Sequence, residues 1–321
     1  MKRLILLLLL CALFVFPALG EEEAEARYEA QSAIEFHLRP SPESGYFIVT
    51  VPEEAKIKVY ELGEEWSLVQ YKTEKGWCKT KWLWGFRSLN AEKYPVPDAR
   101  PACGVLTALQ SVTVTGGDFS GLAVTPGTLL CPVSAGTEGY TLPVWRGETK
   151  MSADSFQYTP FISYKSTQPG DLIAGFTTFY NEKTGGKLAE GRAHNIALGC
   201  ERISGVTVAP GQEFSFNAVC GPYKQRNGYQ MAPNISNDGQ GYGGGICQVT
   251  TTLYNALLGT PLQITDWAVH RRSGVQYVPQ YFDAAVGSYS DLKFVNTLPY
   301  PVRIEAMPQN GAVTVLLSRA E

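Results

Sequence analysis

Basic charge is scarce in this chain. Lys and Arg number 27 against 30 Asp and Glu, a net charge of −3, and losing Lys2 and Arg3 with an N-terminal leader would leave 25 against 30, or −5. That excludes the basic footprint of a nucleic-acid-binding protein. Histidine is scarcer still: His37, His194 and His270 are the whole set, too few to favour a metal-dependent hydrolase. No C-x-x-C pair is present, which argues against a structural zinc site. The glycine run 243–245 lacks the Lys-Ser/Thr of a phosphate-cradling loop. Past the leader, no apolar run approaches 18 residues. Neither a metal nor a cofactor is expected.

What the chain has in quantity is glycine (32), proline (20) and aromatic residues (17 Tyr, 14 Phe, 6 Trp) within 321 residues, 44% of them apolar. Short strands, turns and aromatic surfaces fit this balance better than a helical bundle. At the start, Lys2 and Arg3 precede the apolar run 4–16 and then Pro17-Ala18-Leu19-Gly20, the pattern of a secretory leader cleaved after residue 20. An uncleaved anchor is the alternative. Export allows disulfides among Cys78, Cys103, Cys131, Cys200, Cys220 and Cys247. Cys103 with Cys131 and Cys200 with Cys220 are the pairs that would close local loops, each for about 3 kcal/mol by chain entropy. Asn234-Ile235-Ser236 is a formal glycosylation acceptor.

Residues 28–90 read as short strands: Ile57–Tyr60 and Trp66–Tyr71 on either side of Gly63-Glu64-Glu65, then Gly76-Trp77-Cys78 leading to Trp82-Leu83. The W-x-x-V and G-W-x-x-x-x-W-L elements resemble the bacterial SH3-like domain of cell-wall proteins. That resemblance implies a small β-barrel with a groove for wall peptides, although Trp66, Trp77 and Trp82 would equally serve as its core. Residues 91–170 open on a Pro-rich linker, Tyr94–Asp98, and continue as a β-rich spacer without a chemical motif. Residues 171–321 end in alternating runs around Gln309-Asn310-Gly311, a hairpin expected to close the domain with a two-stranded edge.

Chemistry concentrates around Gly243-Gly244-Gly245-Ile246-Cys247-Gln248. Ile246, Val249, Leu253, Ala256 and Leu257 recur at helical spacing and Gly259 stops the run. Cys247 therefore sits in the first turn of an amphipathic helix, where unpaired N–H groups and the dipole favour a thiolate. A base is needed, and His270 lies downstream on what reads as a strand running to Arg271-Arg272. A Cys at a helix start and then a His on a strand is the chain order of papain-like and transglutaminase-like thiol enzymes. Asp283 or Asp291 would orient the imidazole, and Gln248 or nearby backbone N–H groups would hold an oxyanion. Gly243, Gly244 and Gly245 allow close approach of a ligand. His194, placed near the start of a helix over 195–203, together with Asn217 and Tyr254, completes the candidate ligand contacts. The competing reading makes Cys247 a packing residue or disulfide partner and the glycine run a binding pocket or structural turn.

Arg192-Ala193-His194-Asn195-Ile196, Pro210-Gly211-x-x-Phe214-Ser215-Phe216-Asn217 with Gly221-Pro222, Gly228-Tyr229, the run 243–256, and Asp291–Phe294 with Asn296 together resemble the VanW-like family over roughly residues 171–306. The Gly-Gly-Gly-Ile-Cys-Gln motif is highly specific. The family takes its name from glycopeptide-resistance clusters. The resemblance implies a secreted or envelope-associated bacterial protein whose partners are peptidoglycan or its stem peptides, with no membrane partner once the leader is removed. It does not supply a reaction. Where the family carries His-x-His-Ser, this chain has Val269-His270-Arg271-Arg272-Ser273, which weakens a two-histidine metal site. Cys200 and Cys220 fall outside the family pattern, which favours a local disulfide between them. The expected fold is α+β and multi-domain: an SH3-like barrel, a β-rich spacer, and a C-terminal domain with a Cys-bearing helix and terminal hairpin. Its expected role is acyl transfer or amide hydrolysis on wall peptides through Cys247, or wall binding without catalysis.

Overall fold

The computed structural model describes residues 25–90, 93–97, 99–115, 121–144, 149–182, 186–234, 239–270, 275–279, 281–309 and 311–321. The leader, Arg271-Arg272, Ser236 and the turn residue Asn310 lie outside them. Within the described residues three α-helices stand among many small antiparallel sheets.

Near the N-terminus five strands form one sheet in the order Glu74–Lys79, Trp66–Tyr71, Lys56–Glu61, Tyr28–Ser32, Leu83–Ser88. Alternation along these strands buries Ala30, Ile57, Val59 and Val69, and Leu38 and Val51 join the same cluster. No closed barrel forms among the described residues, contrary to expectation. The hairpin Phe36–Leu38/Val49–Val51 pairs with itself and reaches the sheet through the bridge Arg39–Trp77. The three singled-out tryptophans are only partly buried. Trp66 lies beneath Lys79 and Arg39, and Trp82 stacks on Phe36 at 5.4 Å. Tyr28 and Phe36 join the aliphatic residues of this core.

The stretch read as a spacer is built onto the C-terminal half. Its strand Gly104–Ala108 pairs with Leu129–Leu130 and Phe156–Pro160. The Cys131 N–H donates to Thr177 Oγ1 at 2.9 Å and the Thr314 hydroxyl to the Leu129 carbonyl at 2.7 Å. Phe179 and Ala312 belong to its apolar cluster.

The C-terminal half centres on a four-stranded sheet in the order Leu172–Phe179, Ala312–Arg319, Val302–Gln309, Thr207–Val208. The terminal hairpin is therefore no edge. Ala312–Arg319 lies between two partners and is buried along nearly its whole length, because both of its faces meet apolar side chains. Helices α1 (Ala189–Ile203) and α3 (Ile246–Leu258) pack on this sheet, and the one-turn α2 (Phe216–Cys220) adjoins α1. α1 begins at Ala189, so His194 lies inside the helix. Gly191 permits this: a Cβ there would sit 2.2 Å from the Met231 carbonyl oxygen.

The N-terminal sheet is docked on the C-terminal half by specific contacts. Trp84 stacks on Tyr281 at 4.4 Å and meets Trp267 edge-on at 6.4 Å. Arg87 bridges Glu29 and the Ile264 carbonyl. Gly85 has a φ of +61°, and a Cβ on it would lie 2.7 Å from the Trp267 ring. Only glycine fits there.

Candidate functional site

Gly245 caps the N-terminus of helix α3, and its φ of +101° turns the glycine run into the helix. Cys247 is its second residue and is half-buried. Cys247, Thr251 and Asn255 are four residues apart and so share one face of α3. That face is stitched to the extended segment 282–286. The Asn255 amide donates to the Phe282 carbonyl at 2.8 Å. Thr251 Oγ1 accepts from the Ala284 N–H at 2.9 Å and donates back to the Ala284 carbonyl. The Val286 N–H points at the Cys247 sulfur at 3.5 Å, and the thiol in turn faces the Val286 carbonyl at 3.6 Å.

Even-numbered residues of that segment thus serve the helix, and odd-numbered ones turn to the chain at 267–270. Ala285 N–H donates to the Ala268 carbonyl at 2.8 Å, and the Trp267 indole donates to the Asp283 carbonyl at 2.9 Å. Asp283 Oδ2 accepts both from the His270 backbone N–H and from its ring Nδ1, each at 2.7 Å. The Cys247 sulfur lies close enough to the imidazole to act on its charge. Burial alone would lower the His270 pKa. The hydrogen bond to Asp283 and the nearby Cys247 sulfur, with the charge on both, override it and push it up to about 10. Asp283 is buried, and its Oδ1 has no partner among the described residues. Burial, and then charges that include Cys247, push the Tyr277 and Tyr223 phenols upward.

A thiol, an imidazole held by a buried carboxylate, and a backbone N–H aimed at the sulfur make up this arrangement. It can hold an imidazolium beside a sulfur nucleophile and pass a proton between the sulfur and a bound group. Residues 191–318, which contain all three side chains, match the family model described as VanW like protein. This stretch is similar to the VanW-like family. Over 180 residues the chain is 36% identical to the uncharacterized protein YoaR of Bacillus subtilis (strain 168), an alignment covering 54% of this chain and 56% of that protein. The chain thus spans little more than half the length of that relative. No solved structure matches it.

The other singled-out residues within 191–318 are placed differently. Asp291 stands away from the imidazole, accepting from Ser215 Oγ at 2.6 Å and from the Asn217 N–H at 2.9 Å, where it braces α2. Gln248 is fully buried, with its amide donating to Thr178 Oγ1 and the Phe179 carbonyl and accepting from Arg192 at 2.5 Å. That amide is already occupied, and the N–H groups of Ile246 and Gln248 are bonded to Gly243 and Gly245 carbonyls. Gly243, Gly244 and Gly245 are approached by the chain itself: Cβ atoms would meet Tyr223 at 2.8 Å, the Pro233 carbonyl at 2.2 Å and Arg192 at 3.0 Å. Asn217 spans Gly287, Ser290 and Tyr223. Tyr254 is buried against Trp267 at 5.1 Å, and His194, exposed, bonds the Gly228 carbonyl at 2.9 Å.

His270 lies beyond its strand, which ends at Asp266. The six cysteines are free thiols, so neither expected disulfide is formed. Cys200 and Cys220 are nonetheless electrostatic neighbours, as are Cys103 and Cys131. Thr251, Asn255, Tyr277 and Trp84 escaped the sequence reading. The first two had a signal, polar residues at four and eight positions beyond Cys247 on the same helix. No helix among the described residues is long and apolar enough to cross a membrane.

Proposed function

We infer that this protein is an exported bacterial envelope enzyme that opens amide bonds of wall peptides through a thioester on Cys247. The observation that carries the reading is His270, bonded through its ring Nδ1 to the buried Asp283 carboxylate and near enough to the Cys247 sulfur for the two to act on each other's charge. In the first step the Cys247 thiolate adds to the peptide carbonyl carbon and a C–S bond forms. The His270 imidazolium gives its proton to the departing amine nitrogen as the C–N bond breaks. Water or an amine then attacks the thioester carbonyl and loses a proton to His270, and Cys247 leaves as thiolate. The leader pattern and the similarity to the VanW-like family support the envelope assignment.

Incubating the full chain with purified stem peptides and measuring intact mass tests this. An acyl adduct on Cys247 is expected, together with turnover that Cys247→Ala abolishes while the fold is retained. Turnover that survives Cys247→Ala overturns the reading.

A second reading, wall binding without catalysis, is favoured by the hairpin loop of the N-terminal unit. Tyr46 and Phe47 there are 83% and 62% exposed, and the unit carries the SH3-like sequence elements. It expects wall binding that Cys247→Ala leaves unchanged and that loss of the N-terminal unit weakens.

A further inference from the structure

Between the docked N-terminal unit and the stretch 191–318 runs a crevice of about 640 Å³, within the ~300–1,000 Å³ range of ligand clefts. Ser32, Ala33, Glu53, Lys56 and Trp84 line one side; Asp266, Trp267, His270 and Tyr281 line the other. His270 is therefore part of its wall. We propose that this crevice binds the leaving-group side of the peptide substrate, a segment bearing a primary amine, and that the N-terminal unit supplies half of the substrate cleft. This rests on the thiol-enzyme reading above.

Three observations support it. First, an amine leaving a thioester-forming centre must take its proton from the imidazole, so the chain on that side of the scissile bond has to lie beside His270. The crevice is the space beside His270. Second, both walls are fixed relative to each other. The Gly85–Trp267 approach, the Arg87 bridge and the Trp84–Tyr281 stack join the two units. Buried Ser32 in turn holds the lining turn: its hydroxyl donates to the Pro52 carbonyl at 2.5 Å and accepts from the Ala55 N–H at 2.8 Å, and its carbonyl accepts from the Glu54 N–H at 2.9 Å.

Third, the lining sets carboxylates beside the aromatic faces of Trp84, Trp267 and Tyr281. Glu53, Glu54 and Asp266 face Lys56, with Lys293 3.8 Å from Asp266 on the rim and the His270 imidazolium at the inner end. Aromatic faces beside carboxylates suit an aliphatic chain ending in an ammonium group.

The test uses the full chain carrying Cys247→Ala and two probes, N-acetyl-lysyl-alanine amide and its norleucine counterpart, which has no ammonium. Binding is read from tryptophan fluorescence, since Trp84 and Trp267 line the crevice. The lysine probe is expected to bind about three- to fivefold more tightly, a preference that Glu53→Gln removes; this is the size of a partly exposed ion pair. Ala33→Trp, which fills the crevice, should abolish binding of both probes. Equal binding of the two probes, binding of neither, or binding untouched by both substitutions overturns the proposal. Because Glu53 is exposed, Glu53→Gln reports even where Ala33→Trp does not fold. The two readings fail separately: probe binding without a Cys247 adduct in the unsubstituted chain sinks the thiol enzyme, and an adduct that forms normally in Ala33→Trp sinks the crevice.

Discussion

Asp283 takes both the backbone N–H and the ring Nδ1 of His270 on a single carboxylate oxygen, each at 2.7 Å. One buried side chain thereby fixes the position of the histidine backbone and the orientation of its ring. The imidazole so held lies near the sulfur of Cys247. The carboxylate is itself placed by the segment 282–286, whose alternate residues bond α3.

This geometry sets the His270 pKa. Its NMR titration should show a midpoint near 10, well above the usual ~6.5. Asp283→Asn and Cys247→Ala should each lower it, since each removes a partner of the charged ring. Because the folded-state value is raised, the interaction stabilises the protein fully below pH ~6.5 and is lost as pH rises through about 10. Denaturant midpoints measured across that window should fall with pH, and the fall should be smaller in Asp283→Asn.

Thiol reactivity should separate the six cysteines. Cys247 is half-buried beside an imidazolium, and iodoacetamide labelling with peptide mapping should find it modified first at neutral pH. Burial pushes Cys78, Cys131, Cys200 and Cys220 up to about 12, so these should stay unlabelled in the folded protein. His270→Ala should slow Cys247 labelling by about tenfold or more. Labelling of Cys247 at an unchanged rate in that variant would remove the imidazole from the chemistry.

Gly85→Ala should destabilise the protein by about 1–3 kcal/mol, a combined cost of overpacking and a left-handed backbone. The clash falls on Trp267, whose indole bonds Asp283, so the same variant should also slow Cys247 labelling. Urea unfolding and the labelling rate measure the two effects independently.

Gly191→Ala tests packing against propensity. In an ordinary helix interior this change stabilises by up to ~1 kcal/mol. Here the added methyl meets the Met231 carbonyl at 2.2 Å, so the melting temperature should drop. A rise would mean that α1 does not lie against the strand Met231–Pro233.

Much of the helical part of the site was legible in the chain. The apolar spacing from Ile246 to Leu257, with glycine at both ends, marks α3 and puts Cys247 in its first turn, because a 3.6-residue period is a local property. The strand alternation around residue 310 likewise announces a hairpin. Partners separated by many residues were another matter. Asp283 and Asp291 are equivalent in sequence, and only the register of segment 282–286 against α3 gives one to His270 and the other to α2. The same holds for the glycine run, which reads as room for a ligand until the Pro233 carbonyl, Tyr223 and Arg192 occupy that room. The hairpin's place inside its sheet and the seating of Trp84 against Tyr281 also depend on long-range contacts that no local pattern encodes. The sequence by itself determined the nucleophile's helix and the short list of residues able to serve it. The tertiary structure chose among them, because hydrogen-bond partners in a fold of many small sheets are set by which segments lie side by side.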